Sequence, residues 1–216
     1  MESAKDIIVK PIKPAAANKL IKQIHYSGKV VPNSQLHLGV YLHGKLEGVM
    51  QFGPPINKKG TINIVADTKW NGMIELNRMA FSERLPRNSE SRAMAVAFKI
   101  IKKNYPHIEW IVSFSDATQC GDGTIYRAAG FVLTDIRRSD ALRINPETGD
   151  VMHVIQAHHK MISKEFRTWQ PTEGYQLRYV YFLNQAAKSR LTVPIIPFAK
   201  IDEVGASMYK GEKRGK

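Results

Sequence analysis

The chain has 216 residues with a hydrophobic fraction of 43%, enough for one ordinary domain with a sizeable core and too much for wholesale disorder. No run approaches the roughly 20 apolar residues of a membrane span, residues 1–6 lack the apolar core of a secretory signal, and one cysteine permits neither an intramolecular disulfide nor a zinc ribbon. A net charge of +13 points instead to a cytosolic protein with a polyanion partner, whether DNA, RNA or a nucleotide-bearing cofactor.

In chain order, residues 7–12 read as a first strand. Pro14 to His25 is a helix, with Pro14 in its first turn and Leu20, Ile21 and Ile24 at helical spacing. Ser27-Gly28 breaks it. Residues 36–42 and 46–52 are strands joined by a tight hairpin at His43-Gly44-Lys45. A long loop leads to a strand over 73–81. Pro86-Arg87-Asn88-Ser89 then offers cap residues before a helix from Glu90 to Asn104. A strand over 109–115, a helix over 123–129 and a strand over 131–136 follow. Beyond these the pattern predicts a hairpin over 142–155, a helix over 156–166 and a strand over 175–183. An extended segment marked by Pro194 and Pro197 precedes a short, basic, mobile tail. The expected organisation is one catalytic domain over 1–190 and an extension over 191–216.

The densest chemistry lies where the apolar run Trp110-Ile111-Val112 feeds Ser113-Phe114-Ser115-Asp116, followed by Gly121-Asp122-Gly123-Thr124-Ile125-Tyr126-Arg127. Open α/β sheets bind ligands at the carboxyl ends of their strands, so a strand ending in Ser-Asp suits a reaction site. Asp116 suits taking or orienting a proton, though an Asp before a glycine-rich loop is also a common turn cap. The second cue is His25-Tyr26 at a predicted helix end. Near-neutral imidazole serves as a general base or, with Asp116, as an iron-type ligand; a helix C-terminus also favours His for its dipole alone. Tyr26 suits stacking on an extruded base or plain core packing. Cys120 reads as inert and His158-His159 as surface residues. Asn77-Arg78 on a strand are donor or phosphate contacts, or part of a solvated face.

The element order resembles that of the GNAT acyltransferase superfamily from about Asp6 to Ile136. The fold class expected is therefore α/β (α+β): a central mixed, mostly antiparallel twisted sheet flanked by helices, with a C-terminal extension. Tyr126, four residues before Gly130-Phe131, is similar to the tyrosine that protonates a leaving thiolate in that superfamily. His25-Tyr26, Leu76-Asn77-Arg78-Met79, Ser113-Phe114-Ser115-Asp116 and the 121–127 block together resemble the Mom family of DNA-modification proteins from Mu-like phages. The resemblance implies an enzyme that converts adenine in duplex DNA to N6-carbamoylmethyl-adenine and shields phage DNA from restriction in the cytoplasm of the host bacterium. It places catalytic importance on His25, Tyr26, Asp116 and Tyr126.

One departure bears on the donor. Users of acetyl-CoA in this superfamily carry glycines before the long helix to cradle pyrophosphate, whereas here the stretch is Arg87-Asn88-Ser89-Glu90-Ser91-Arg92. Substrate or donor contacts are therefore expected from Asn77, Arg78, Arg87, Ser89, Ser115 and Arg127. The donor is expected to be an activated two-carbon unit, either glycine carried as glycyl-tRNA or acetyl-CoA. Acetyl transfer alone would lack a nitrogen of the product. Two other readings stay open: a GNAT acetyltransferase acting on a protein or small amine, and a basic DNA-binding protein without catalysis.

Overall fold

A computed structural model describes residues 2–25, 27–117, 123–138, 142–149, 151–153, 157, 160–171, 174–206, 208–209 and 212–213. The elements of the first half are β1 (Ile8–Pro11), α1 (Pro14–Ile24), β2 (Leu36–Leu42), β3 (Lys45–Gly53), α2 (Lys58–Ile62), β4 (Met73–Phe81) and α3 (Ser89–Asn104). They are followed by β5 (Trp110–Asp116), α4 (Thr124–Ala128), β6 (Val132–Arg138), β7 (Leu142–Ile144), β8 (Val151–His153) and α5 (Ser163–Phe166). The chain continues through β9 (Gln170–Pro171), β10 (Tyr175–Phe182), α6 (Ala199–Glu203), β11 (Met208–Tyr209) and β12 (Glu212–Lys213). Residues cluster into two compact units: Met1–Phe114, Thr124–Thr134 and Arg178–Ile196 form the first, and Ser115–Gly123, Asp135–Leu177 and Pro197–Lys216 the second.

The first unit is built on a seven-stranded sheet in the order β1-β2-β3-β4-β5-β10-β6. From β1 to β4 neighbours pair antiparallel. The β2–β3 turn puts His43 at φ 48° and Gly44 at φ 79°, the left-handed pair that a two-residue hairpin needs. β4 and β5 instead pair in parallel, which requires a crossover, and α3 supplies it.

Two irregularities on β4 position the site. Its ladder with β5 joins Met73 to Trp110, Ile74 to Ile111 and Glu75 to Val112, and no later pair follows among the described residues. The two strands therefore part at Leu76 and Ser113. On the other edge Gln51 pairs with Arg78 and Phe52 with Leu76. Asn77 is thus the extra residue of a β-bulge, a device that re-aims a side chain and often borders reaction sites.

Packing fixes the frame around these features. α1 buries Ala17 and Ile21, one turn apart, against Val49 and Ala80 of the sheet; a fully buried isoleucine contributes roughly 1.5–3 kcal/mol. Beneath the sheet's centre Trp110, Met73, Val112, Val180 and Phe182 share a second cluster, and Trp110 Nε1 donates to Thr68 Oγ1 at 3.0 Å. In the second unit β8-β7-β9 form a small sheet. There Arg143 Nη1 donates to the carbonyls of Arg167 (2.7 Å) and Trp169 (3.0 Å).

Several local expectations change. Asn88, at the amino end of α3, stands at φ 70° without a side-chain cap bond, so the expected polar cap does not form. Of the helix expected over 156–166, α5 is four residues long, and Met161 at φ 58° cannot belong to a right-handed helix. The long loop before β4 contains α2, whose amino end is held by Asn57 Oδ1 accepting from Gly60 N at 3.1 Å. Near the carboxyl end Met208 pairs with Lys213 and Tyr209 with Glu212.

Candidate functional site

The carboxyl end of α1 delivers His25. Its backbone N–H caps the helix by donating to Ile21 O at 3.0 Å, and Gly28 at φ 59° turns the chain back. The imidazole Nδ1 accepts from Ser27 N at 3.1 Å and lies 2.8 Å from Ser27 Oγ. An Nδ1 that accepts carries no proton, so the neutral ring holds it on Nε2. Burial, and then the Arg78 guanidinium, lower its pKa to about 4. With its pKa so lowered, His25 is neutral at physiological pH and a weak base.

Arg78 ties this turn to β4. Its Nε donates to Lys29 O at 3.3 Å, and its Nη1 to Asn77 O at 2.9 Å. The bulged Asn77 is buried; its Oδ1 accepts from Ser34 Oγ at 3.2 Å, and its side chain also hydrogen-bonds Glu75. Gly53 makes room for this arrangement: a Cβ there would collide with Asn33 O and come within 2.7 Å of Asn77 Oδ1.

Glu75 is the residue that sequence reasoning missed. Burial raises its carboxyl to about pKa 7, against the opposing pull of Asn77 and Arg78. A carboxyl that titrates near neutrality is matched to proton transfer. The sequence signal was an acid inside the apolar strand Met73-Ile74-Glu75-Leu76, but strand faces alternate and many such acids face water.

Where β4 and β5 part, Ser113 Oγ lies 3.3 Å from Leu76 O and 3.1 Å from the Tyr126 hydroxyl. One serine proton serves one of these at a time, so Ser113 holds the phenol against the β4 backbone. Tyr126 is held by stacking on Tyr179, with centroids 4.3 Å apart and planes at 9°, and by an edge contact to Phe131 at 5.3 Å. Leu76, whose carbonyl Ser113 reaches, is the residue after Glu75 on β4.

The remaining expected residues are distributed. Arg87 is exposed, and Ser89 is buried at the first position of α3 with its hydroxyl unpartnered. Glu90 stands in the first turn of α3, where its charge already complements the helix dipole. That stretch does not fit a diphosphate cradle. Ser115 is buried with an unpartnered hydroxyl, Asp116 ends β5, and Arg127 is exposed on α4. Tyr26, Cys120, Gly121, Asp122 and His158-His159 lie outside the described residues. Among the described residues no group of three His, Cys, Asp or Glu could hold a metal ion.

Over residues 6–200 the chain matches the Mom protein family. It is 34% identical over 203 residues to the methylcarbamoylase mom of Escherichia phage Mu, covering 89% of this chain and 82% of the phage protein. Among solved structures it is similar to a putative phosphinothricin N-acetyltransferase, with TM-score 0.52 and 9% identity over 83% of this chain and 99% of that one. An N-acetyltransferase from Staphylococcus aureus Mu50 gives TM-score 0.51 and 10% identity over 82% and 99%. At such identities the likeness is one of fold: the sheet is the GNAT-like α/β sheet expected.

Proposed function

The chain belongs to the Mom protein family, and from that premise we propose that it is a DNA-modifying transferase that converts adenine to N6-carbamoylmethyl-adenine and so protects phage DNA from restriction. The observation that carries the reading is the half-buried Glu75 carboxyl, pushed up to about pKa 7 by desolvation, beside a bulge at the point where two parallel strands separate.

The exocyclic amine of adenine is a poor nucleophile because its lone pair is delocalised into the ring. It needs a base for its proton, an activated acyl donor and a proton for the leaving group. Glu75 accepts the N6 proton as the bond to the acyl carbon forms. The Arg78 guanidinium and the neutral His25, protonated on Nε2, stabilise negative charge developing on the acyl oxygen. Tyr126, positioned by Ser113, gives its phenolic proton to the departing oxygen. The family resemblance adds roles for Asp116, orienting the amine, and for Tyr26, stacking on the flipped adenine, whose extrusion costs roughly a few kcal/mol.

The donor most consistent with the product is glycine esterified to tRNA. Transfer forms the N6–acyl bond and releases the tRNA hydroxyl. The free glycyl amine then attacks C6, closing a five-membered ring, and the original C6–N6 bond breaks with proton transfer. The result is C6–NH–CH2–CO–NH2, an isomer of the first adduct, so no further reactant is needed. The Glu90 departure at α3 supports a donor other than a CoA thioester.

Mass spectrometry of nucleosides from plasmid DNA, after expression of the wild-type chain, Glu75→Gln and Asp116→Ala, tests the reading. A modified adenosine is expected with wild type and not with either variant. Unmodified DNA from wild-type cells supplied with glycine and tRNA would exclude it. Nitrogen-labelled glycine should place its label on the atom bonded to C6 and leave the carboxamide unlabelled.

A further inference from the structure

At the amino end of β4 lies a groove of about 510 Å³. Its floor is apolar, with Met73, Ile74 and Ile108; its rim carries Lys58, Asn71, Tyr105 and His107, and no carboxylate lines it. Lys58 Nζ is fixed by two neutral groups, donating to Asn71 Oδ1 at 3.3 Å and sitting 4.5 Å from the centre of the Trp70 ring. It has no ion-pair partner among the described residues. Trp70 remains 55% exposed, unusual for an indole. A held cation without a counter-charge next to a solvent-facing indole is the pairing that single nucleic-acid strands meet elsewhere: a phosphate contact together with a stacking platform.

Gln35, Pro54 and Ile74, all lining the groove, are the chain neighbours of Ser34, Gly53 and Glu75. We propose that this groove holds a nucleotide of the DNA strand next to the reacting adenine, with its phosphate on Lys58 and its base stacked on Trp70. The assignment rests on the reading that DNA is the substrate. It gives the enzyme a grip on the strand once the target base has left the stack.

The full chain, titrated into a short fluorescein-labelled DNA duplex across a range of salt, tests it by fluorescence anisotropy. Lys58→Gln is expected to weaken binding and to reduce the salt slope by about one ion. Trp70→Ala should weaken binding on the order of tenfold with the slope unchanged. Lys5→Gln, an exposed lysine elsewhere on the first unit, should do neither. All three residues are at the surface, so circular dichroism should be unchanged. Wild-type binding and slope in both groove variants would overturn the groove while leaving the functional reading intact. Loss of affinity for tRNA but not for the duplex would overturn DNA as the occupant. A wild-type chain that neither binds nor modifies DNA would defeat the functional reading and the groove together.

Discussion

At the scale of single residues, Glu75 and His25 make opposite demands on the fold. Glu75 holds its proton more tightly when folded, up to about pH 7 against an ordinary 4.5. Its contribution is full below pH 4.5 and lost as pH rises through 7. His25 gives up its proton on folding, to about 4 from 6.5, so its contribution grows as pH rises from about 4 to 6.5. In the wild type the two slopes largely offset. Denaturant titrations should show Glu75→Gln gaining stability on the order of 2 kcal/mol at neutral pH, with stability that climbs between pH 4 and 6.5. His25→Gln should show the falling limb instead. Glu75→Gln should also lose roughly a hundredfold or more in rate and the pH dependence near 7. A variant of unchanged rate would remove the carboxyl from the chemistry. None of this was legible along the chain, because a pKa depends on burial and neighbours that strand alternation does not fix.

At the scale of elements, the bulge and the strand separation hold the groups together. Gly53→Ala would drive a methyl group into Asn33 O and Asn77 Oδ1; a loss of about 1–3 kcal/mol is expected from overpacking, with activity falling further than stability. Tyr126→Phe keeps the stacking on Tyr179 and removes the hydroxyl that meets Ser113. The expected outcome is an unchanged melting temperature and a drop in kcat of roughly a hundredfold. Rates equal to wild type would rule out the phenol as the proton donor. β2 and β4 were readable to the residue, as continuous apolar-rich runs bounded by turn residues. The bulge at Asn77 was not, since a bulge is a mismatch between two strands and neither sequence contains it. The helix expected over 156–166, helical at Ala157 and over Ser163–Phe166, is interrupted for a related reason. A run such as Ala157 and Met161-Ile162 has helical spacing, yet Met161 takes a left-handed backbone.

At the scale of the whole molecule, a charge of +13 predicts DNA binding that weakens steeply with salt, the logarithm of affinity falling by about 0.9 per phosphate neutralised. A flat response in duplex titrations would contradict a phosphate-tracking surface. Charge and element order were determined by the sequence alone, because charge is a sum over residues and secondary structure follows local periodicity. So were the motifs around His25, Asp116 and Tyr126, which are contiguous in the chain. What only the tertiary structure decided is the environment of the acid on β4, the separation of β4 from β5 and the groove beside Lys58. Each of these exists between segments distant in sequence, where packing rather than any local preference sets the distances.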